Sequence, residues 1–300
     1  MAQNIPPFEN PKPHLVVVRA GAGSLHQNWL ETPDKDRSWD LIVSYFDAAA
    51  YKAHKDQAGV QAILIKGGKW DGLYKTFAAF EAHSSYTHIW LPDDDIATNG
   101  ADINAMFAQA ASHALAVCQP SLTPESYFSH FMFMTCPGFT LRYTNYIEIM
   151  IPCLSADLFA QALPLFEDTM SGFGLDYVWC RLPAAGPYKA AVLDEVSMHH
   201  TRPIGTQLRG AIIDKKGKTA KDEGRALRAK MGQIKKAVPL AYGGLTEGGA
   251  RIEGRLRMAL KMRQGYMSTL ETFRDPALAR AKSRQLFKRQ LIKRLSLSPL

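Results

Sequence analysis

Three consecutive aspartates, Asp93, Asp94 and Asp95, are the residues of this chain whose spacing points most directly to chemistry. They follow a short apolar run, 88–91, that is typical of a buried strand, and Pro92 separates the two. Carboxylates packed this closely repel one another and are costly to desolvate unless water or a cation neutralises them. The triplet supports two interpretations about equally: a site for Mg²⁺ or Mn²⁺, which prefer oxygen ligands, or a solvated acidic turn before the next helix.

The elements around the triplet alternate between strand and helix. Apolar runs predict strands, and three-four spacing of apolar residues predicts helices, one of them capped by Asp102. The pattern is typical of a mixed, mostly parallel α/β sheet flanked by helices, in which ligands bind beyond the carboxyl ends of the strands. The predicted strands are 15–19, 39–46, 60–65, 88–91 and 115–120, and a helix is predicted over 72–82.

Two of these strand ends carry further candidates for ligand binding. Asp47 follows the second strand, where an acid often holds a ribose hydroxyl, although capping of the next helix explains it almost equally well. The glycine-containing loop 20–24 follows the first strand and has room for a phosphate. It lacks the dinucleotide and Walker patterns, however, which favours an ordinary tight turn.

The second half of the chain adds three more candidates. Glu148 lies in an apolar run, 140–152, that predicts a strand, and a buried carboxylate is costly unless it is paired or functional. Asp176 follows two glycines and either caps a helix or adds a second acid to the site, which is slightly favoured. The last predicted strand ends at His199 and His200, and neighbours on a strand face opposite sides. At most one of this pair is therefore expected to be a metal ligand.

Charge divides the chain into two parts. Residues 209–300 carry 23 Lys or Arg against 7 Asp or Glu, whereas residues 1–208 carry 13 against 21. We therefore predict a globular domain at 1–208 and a basic helical C-terminal extension at 209–300, with strand character lost after Thr206. Helix-prone segments at 251–273 and 277–297 mix leucines with basic residues. That mixture suits an anionic membrane surface or a solvated face, and nucleic acid is an unlikely partner because the body is acidic and no recognition motif is present.

Composition limits the class of protein. The 300 residues are 46% hydrophobic, enough for a full core, and no apolar run approaches the roughly 18 residues of a membrane span. The N-terminus lacks the apolar region of a signal peptide. The four cysteines match neither a zinc pattern nor a disulfide framework. We expect a cytoplasmic protein with reduced thiols, and the basic extension allows a peripheral position at the cytoplasmic face of the membrane.

The order of the motifs resembles that of a known family. The motifs are Trp90 to Asp95, Gln119-Pro120, Ile147 to Met150, Gly172 to Asp176, and Asp194 to His200. Over about 15–205 they resemble the uncharacterised family known in plants as lysine-ketoglutarate reductase trans-splicing related proteins, and through it the GT-A glycosyltransferase fold. The basic extension lies outside this resemblance.

The resemblance implies a transferase that moves a sugar from a nucleoside-diphosphate donor, with a UDP-sugar favoured, to a glycan or other hydroxyl acceptor, as in surface polysaccharide or glycoconjugate synthesis. By position, Asp93, Asp95 and His200 would bind Mn²⁺ or Mg²⁺. Asp176 would be the base of an inverting enzyme, and Glu148 would support the acceptor. The candidate donor contacts are Arg19, Ala20, Asp47, Lys69 and Asp94.

Two other functional classes stay open at this point. A metal-dependent nucleotidyltransferase or phosphohydrolase would use the same aspartates and release pyrophosphate or phosphate instead of a nucleoside diphosphate. A non-catalytic nucleotide-binding or membrane-surface scaffold would keep the fold without turnover. The identity of the product distinguishes the three.

Overall fold

The computed structural model describes residues 4–204 and 219–293. The strands of these residues are β1 (His14–Ala20), β2 (Trp39–Tyr45), β3 (Val60–Leu64), β4 (His88–Trp90), β5 (Ile96–Ala97), β6 (Val117–Leu122), β7 (Leu141–Thr144), β8 (Cys153–Ser155), β9 (Ala190–His200), β10 (Ala241–Leu245) and β11 (Arg251–Glu253). The α-helices are α1 (His26–Trp29), α2 (Ala48–His54), α3 (Trp70–Ala78), α4 (Gly100–Ser112), α5 (Ala156–Ala162), α6 (Leu175–Val178), α7 (Ala220–Lys230), α8 (Arg255–Ser268) and α9 (Pro276–Ile292).

A large mixed sheet runs through the described residues in the order β11-β10-β7-β9-β6-β8-β4-β1-β2-β3, and β5 pairs with the end of β9. Strands β4, β1, β2 and β3 pair in parallel, as do β6 and β9. Strand β8 is antiparallel to both of its neighbours, and β7, β10 and β11 continue the sheet antiparallel from β9. The predicted mixed α/β sheet flanked by helices is confirmed. The expectation that it is mostly parallel is wrong, because four of the ten strand pairings in the described residues are parallel and six are antiparallel.

The central strands are buried on both faces. In β1, the four residues from Leu15 to Val18 are fully inaccessible, which explains why this strand is a continuous apolar run and not an alternating one. Because β1, β2 and β4 are parallel, their carboxyl ends meet at one edge of the sheet. The loops that begin at Gly21, Phe46 and Leu91 therefore share this edge.

Trp90, the last residue of β4, fixes the start of the aspartate loop. Its ring centroid lies 5.3 Å from that of Trp29, and its indole N–H donates to the Ile151 carbonyl over 3.3 Å. The next residue, Leu91, donates its backbone N–H to the Pro152 carbonyl over 2.9 Å. The apolar run thus anchors the acidic triplet on the core.

Two elements differ from the sequence predictions. The predicted strand over 140–152 ends at Thr144, because the side chain of Asn145 takes over hydrogen bonds to the 238–240 backbone. Glu148 consequently lies in a loop. The cap of α4 is Asn99 and not Asp102: the Asn99 side chain accepts a hydrogen bond from the Asp102 N–H over 2.9 Å.

The expectation that strand character is lost after Thr206 is wrong. Strand β10 pairs antiparallel with β7 and β11, so the C-terminal segment completes the sheet. Its sequence, Ala-Tyr-Gly-Gly-Leu, lacks the β-branched residues that usually mark a strand. Here glycine is required by space, since a Cβ at Gly244 would lie 2.9 Å from both the Leu141 carbonyl oxygen and the Phe139 ring. The boundary predicted at 208/209 and the end of the helix predicted to reach 297 lie outside the described residues.

A buried ion pair links the C-terminal helices to the sheet. The guanidinium of Arg142, which is fully inaccessible, donates to both carboxylate oxygens of Asp194 over 2.7 and 2.8 Å. It also donates to the hydroxyl of Tyr266 on α8 over 2.7 Å. Asp194, which opens the motif that ends at His200, therefore has a structural role in this fold.

All four cysteines are buried and free, which confirms the prediction of unpaired thiols. Burial raises the pKa of the Cys136 thiol to about 12, so it stays neutral. Among the helices of residues 4–204 and 219–293, none combines the length and the apolar character needed to cross a membrane.

Candidate functional site

The edge beyond β4 brings together Asp93, Asp95 and His200. Each offers one ligand atom, and these atoms all lie within 4.8 Å of one another. The two-residue strand β5 directly follows Asp95 and places Ile96 opposite His200 on β9. The Thr201 N–H also donates to the Asp95 carbonyl over 3.1 Å. Strand pairing thus holds the imidazole beside the carboxylates, as the sequence predicted for one of the two histidines.

The chemistry of these three side chains fits a divalent cation. Nδ1 of His200 lies 2.9 Å from the Tyr127 carbonyl, which directs Nε2 to the carboxylates, 3.4 Å from Asp95 Oδ2. An imidazole fixed through its other nitrogen in this way is typical of a metal ligand. Oδ1 of Asp95 is buried and has no hydrogen-bond partner among the described residues. Two carboxylates with one imidazole suit Mn²⁺ or Mg²⁺.

The cluster already attracts positive charge from the protein. Lys69 Nζ donates to Asp93 Oδ1 over 2.6 Å and to the Ile149 carbonyl over 2.7 Å. Burial lowers the pKa of Lys69 and raises the pKa of Asp93, and their mutual attraction opposes both shifts. Burial alone would lower the pKa of His200, but the hydrogen bond and charge of Asp95 outweigh it and raise the pKa. Lys69 therefore contacts Asp93 at a place to which a metal ion would also be attracted.

Asp94 points away from the other two aspartates. Its Oδ2 accepts the Gly21 N–H over 3.1 Å, and its Oδ1 accepts from Arg202 over 3.0 Å. The same guanidinium donates to the Gly23 carbonyl. Burial raises the pKa of Asp94, and the hydrogen bond from Gly21 and the charge of Arg202 oppose that shift. Asp94 therefore ties the glycine loop to the site, and the pair that shares the cluster is Asp93 and Asp95.

Three other predicted donor contacts have protein partners. Arg19 is buried and donates to the carbonyls of 44, 65, 67 and 68, and burial lowers its pKa to about 10. The side chain of Ala20 is fully inaccessible. Asp47 caps α2 by accepting the N–H groups of Ala49 and Ala50, which holds its pKa below the usual value. Arg19 and Asp47 thus shape the loops around the donor edge, and helix capping accounts for the Asp47 carboxylate.

Glu148 and Asp176 form a second acidic centre. The Glu148 N–H donates to the side chain of Gln119 over 2.7 Å. Asp176 accepts a hydrogen bond from the Tyr146 hydroxyl and another, over 3.0 Å, from the Gly174 N–H. Gly174 adopts φ 105°, a left-handed conformation that favours glycine, and this turn aims its N–H at the carboxylate. The turn formed by the Gly-Phe-Gly-Leu-Asp motif therefore fixes the position of the Asp176 carboxylate.

Burial raises the pKa of both acids of this centre. Burial raises the pKa of Asp176 to about 6, against the hydrogen bonds from Tyr146 and Gly174. Burial and then the charge of Asp176 raise the pKa of Glu148 well above its usual value. Oε2 of Glu148 is buried without a hydrogen-bond partner among the described residues. At neutral pH Asp176 is therefore an available base, and it lies beside a second carboxyl group whose neutral form is favoured by burial.

Sequence reasoning missed two residues of this region. Arg202 lies two positions after His200, at the end of the last strand as the sequence predicts it, and because alternate strand residues face the same side this spacing was an available signal. Tyr146 lies two positions before Glu148, but the chain there is a loop, and no periodicity identifies it. Both make direct hydrogen bonds to aspartates that the sequence did identify.

Comparison with known proteins gives architecture alone. No protein-family model and no curated protein matches the sequence, so the resemblance to the trans-splicing related family stays a prediction. A structure of S. aureus TarS 1–349 in complex with UDP-GlcNAc is 10% identical and covers 92% of this chain and 72% of its own, with a TM-score of 0.47. The mannosyltransferase PcManGT from Pyrobaculum calidifontis, in complex with GDP-Man and Mn²⁺, is 12% identical and covers 96% and 78%, with a TM-score of 0.49. Because both scores are below 0.5, the functional argument rests on the site.

Proposed function

We propose that this protein is a metal-dependent glycosyltransferase that moves a sugar from a nucleoside-diphosphate donor to a hydroxyl acceptor. The observation that carries the proposal is the presence of two distinct acidic centres close enough for their charges to act on the same residue, Glu148. One is the Asp93, Asp95 and His200 cluster, which fits a divalent cation. The other contains Asp176, with a pKa near neutrality, and Glu148 experiences the charges of both centres.

The first centre would bind the donor. A Mn²⁺ or Mg²⁺ ion held by Asp93, Asp95 and His200 would neutralise negative charge on a diphosphate. The protein adds Lys69 and Arg202, cations that contact Asp93 and Asp94. Because Arg202 also fixes the glycine loop, its charge lies where phosphate oxygens would approach the backbone of that loop. These residues bind and orient the donor in this proposal.

The second centre would act on the acceptor. Asp176 would take the proton of the acceptor hydroxyl, and a base with a pKa of about 6 is ionised at pH 7 while it still binds a proton readily. Tyr146 donates to this carboxylate and keeps it oriented. Glu148 would form a hydrogen bond with a sugar or acceptor hydroxyl, which would satisfy its unpartnered Oε2.

Calorimetric titration tests the donor half of the proposal. UDP and GDP are titrated into the protein in Mn²⁺ and in EDTA, and we expect binding at least about tenfold tighter with the metal. Asp95→Asn should abolish this difference, whereas Glu167→Gln, a change at an exposed acid away from the site, should preserve it. Equal affinities in Mn²⁺ and EDTA would reject the metal-diphosphate model.

The product tests the reaction class. Incubation with UDP- and GDP-sugars and a panel of hydroxyl acceptors should release free UDP or GDP. Release of pyrophosphate or phosphate would instead identify a nucleotidyltransferase or phosphohydrolase. Tight nucleotide binding without turnover of any donor would favour the scaffold.

A peripheral membrane position is part of the same proposal. Helices α8 and α9 contain nine Lys or Arg and neither Asp nor Glu. They also expose apolar side chains, with Leu256 at 58%, Leu260 at 52% and Ile292 at 73%. Co-sedimentation with phosphatidylglycerol vesicles should be about tenfold weaker for a Leu256→Ser, Leu260→Ser double variant. Unchanged co-sedimentation of this double variant would reject the proposed contact of the exposed leucines with the membrane.

A further inference from the structure

A cationic cleft lies between α9 and the segment 128–132. Its charged side chains are Lys282 and Arg289, both half-buried, and no acidic residue lines it. Neither cation takes part in an ion pair with a carboxylate of the described residues. Two half-buried cations without a counter-ion repel one another and attract an anion. Ser129 and Phe131 also line the cleft.

His130 connects this cleft to the second acidic centre. It lines the cleft, and its backbone provides a hydrogen bond that favours the carboxylate form of Glu148. Its ring centroid lies 5.2 Å from that of Tyr146, whose hydroxyl donates to Asp176. Burial, with the charges of Arg289 and Lys236, lowers the pKa of His130 to about 4, so it is neutral and adds no charge of its own.

The cleft is distinct from the donor centre. None of its lining residues belongs to the Asp93, Asp95 and His200 cluster or to the glycine loop. The contacts of His130 with Tyr146 and of Tyr146 with Asp176 connect the cleft to the base, so an acceptor with its anionic group in the cleft would have to reach past these two residues. Its hydroxyl would then meet the base.

We infer that the cleft formed by Lys282, Arg289 and Ser129 binds a phosphate ester on the acceptor and thereby presents the acceptor hydroxyl to Asp176. The inference rests on the proposed function for the transfer step, whereas the binding of the phosphate can be measured without it. An arginine and a lysine suit a dianionic phosphate monoester, since the guanidinium can donate two parallel hydrogen bonds to its oxygens. The phosphate could belong to a soluble ester or to a lipid headgroup.

The test compares two charge-matched double variants of the full chain. Lys282→Ala with Arg289→Ala empties the cleft of charge, and Arg284→Ala with Lys288→Ala removes the same charge from exposed positions on the same helix. The soluble probe is glycerol 3-phosphate, with glycerol as the neutral control, followed by phosphorus and proton NMR. The lipid probe is phosphatidylcholine vesicles that contain phosphatidic acid.

We expect the cleft variant to bind at least one phosphate probe about tenfold or more weakly than the wild type, and the control variant to stay within about twofold. An effect on glycerol 3-phosphate identifies a soluble ester, and an effect on vesicles alone identifies a headgroup. Arg289→Lys retains the charge and loses the parallel pair of hydrogen bonds, so its affinity should lie between those of the wild type and the cleft variant, which separates lost charge from lost folding. If the two double variants behave alike with both probes, the inference is overturned.

The same samples keep the two proposals apart. Titration of UDP and GDP with Mn²⁺ should be unaffected in both double variants, because the cleft is not part of the donor centre. If phosphate binding depends on the cleft and no nucleotide binds, the phosphate-binding role of the cleft is supported and the donor proposal is rejected. The reverse result would reject the cleft alone.

Discussion

Replacing Asp95 by asparagine should stabilise the metal-free protein and remove its response to a divalent cation. Asp95 has a buried oxygen without a partner among the described residues, and a ligand atom of Asp93 lies within 4.8 Å of one of its own. A carboxylate with a structural role would have hydrogen-bond partners for both of its oxygens among the neighbouring residues. A carboxylate kept for a metal ion is held in an unfavourable position until the ion binds.

The structure sets the size of the effect. Two unit charges 4.8 Å apart repel by about 3.5 kcal/mol at an effective dielectric constant near 20. The pairing of Lys69 with Asp93 reduces the repulsion, and the interaction of Asp95 with His200 is weakened in the variant. We therefore expect a net gain of about 1–2 kcal/mol in the free energy of unfolding.

Urea unfolding in EDTA measures the stability of the metal-free protein, and urea unfolding in Mn²⁺ measures its response to the cation. In EDTA the variant should unfold at higher urea than the wild type, with an unchanged slope. At an Mn²⁺ concentration about 100 times the dissociation constant, the wild type should gain about 2.7 kcal/mol and the variant nothing. Glu167→Gln serves as the surface control and should respond to Mn²⁺ like the wild type.

Two results would refute this reasoning. A loss of more than about 1 kcal/mol in EDTA would mean that Asp95 is a structural carboxylate. An Mn²⁺-dependent gain that survives in the variant would mean that Asp95 is not a ligand.

Three further predictions concern other residues. Below pH 6 the base Asp176 becomes protonated, so kcat/KM should fall about tenfold per pH unit. The variant Asp176→Asn should lower kcat by about 10²–10⁴-fold. A flat pH profile of kcat/KM between pH 5 and 7 would show that Asp176 is not the base. Lys69→Met should strengthen Mn²⁺ binding in the absence of nucleotide, because it removes a competing cation from Asp93. The same variant should weaken UDP or GDP binding in calorimetry. Unchanged Mn²⁺ affinity would contradict the competition between Lys69 and the metal ion. Arg142→Met leaves Asp194 buried and unpaired and should cost about 3–5 kcal/mol in urea unfolding, with much of it recovered in the Arg142→Met, Asp194→Leu double variant.

The sequence predicts the parts of the fold that depend on local pattern. The run from Leu15 to Val18 is apolar because its strand is buried on both faces, so its position was predictable. The cluster of Asp93, Asp95 and His200 was also predictable, since each lies at or just beyond a strand end.

What the sequence does not predict depends on contacts between distant segments. Strand β10 has a glycine at 244 because the Leu141 carbonyl of β7 and the Phe139 ring approach it closely, which no local pattern indicates. Glu148 leaves the predicted strand because Asn145 forms hydrogen bonds with a segment more than 90 positions away. The protonation states of Glu148 and Asp176 likewise depend on burial, which only the tertiary structure determines.

The buried contact between Arg142 and Tyr266 bears on how the protein can be synthesised. Residues that leave the ribosome 124 positions apart complete the hydrogen bonds of one guanidinium, and the edge of β7 is covered only when β10 arrives. Domains generally fold as units, N-terminal part first, and unpaired strand edges in incomplete chains are prone to aggregation. In this chain the sheet is completed late in synthesis. The acidic half, which carries the catalytic candidates, needs strands of the basic half to complete it. A gene fragment cut at the change in charge would therefore yield an open edge and a buried Asp194–Arg142 pair without its tyrosine.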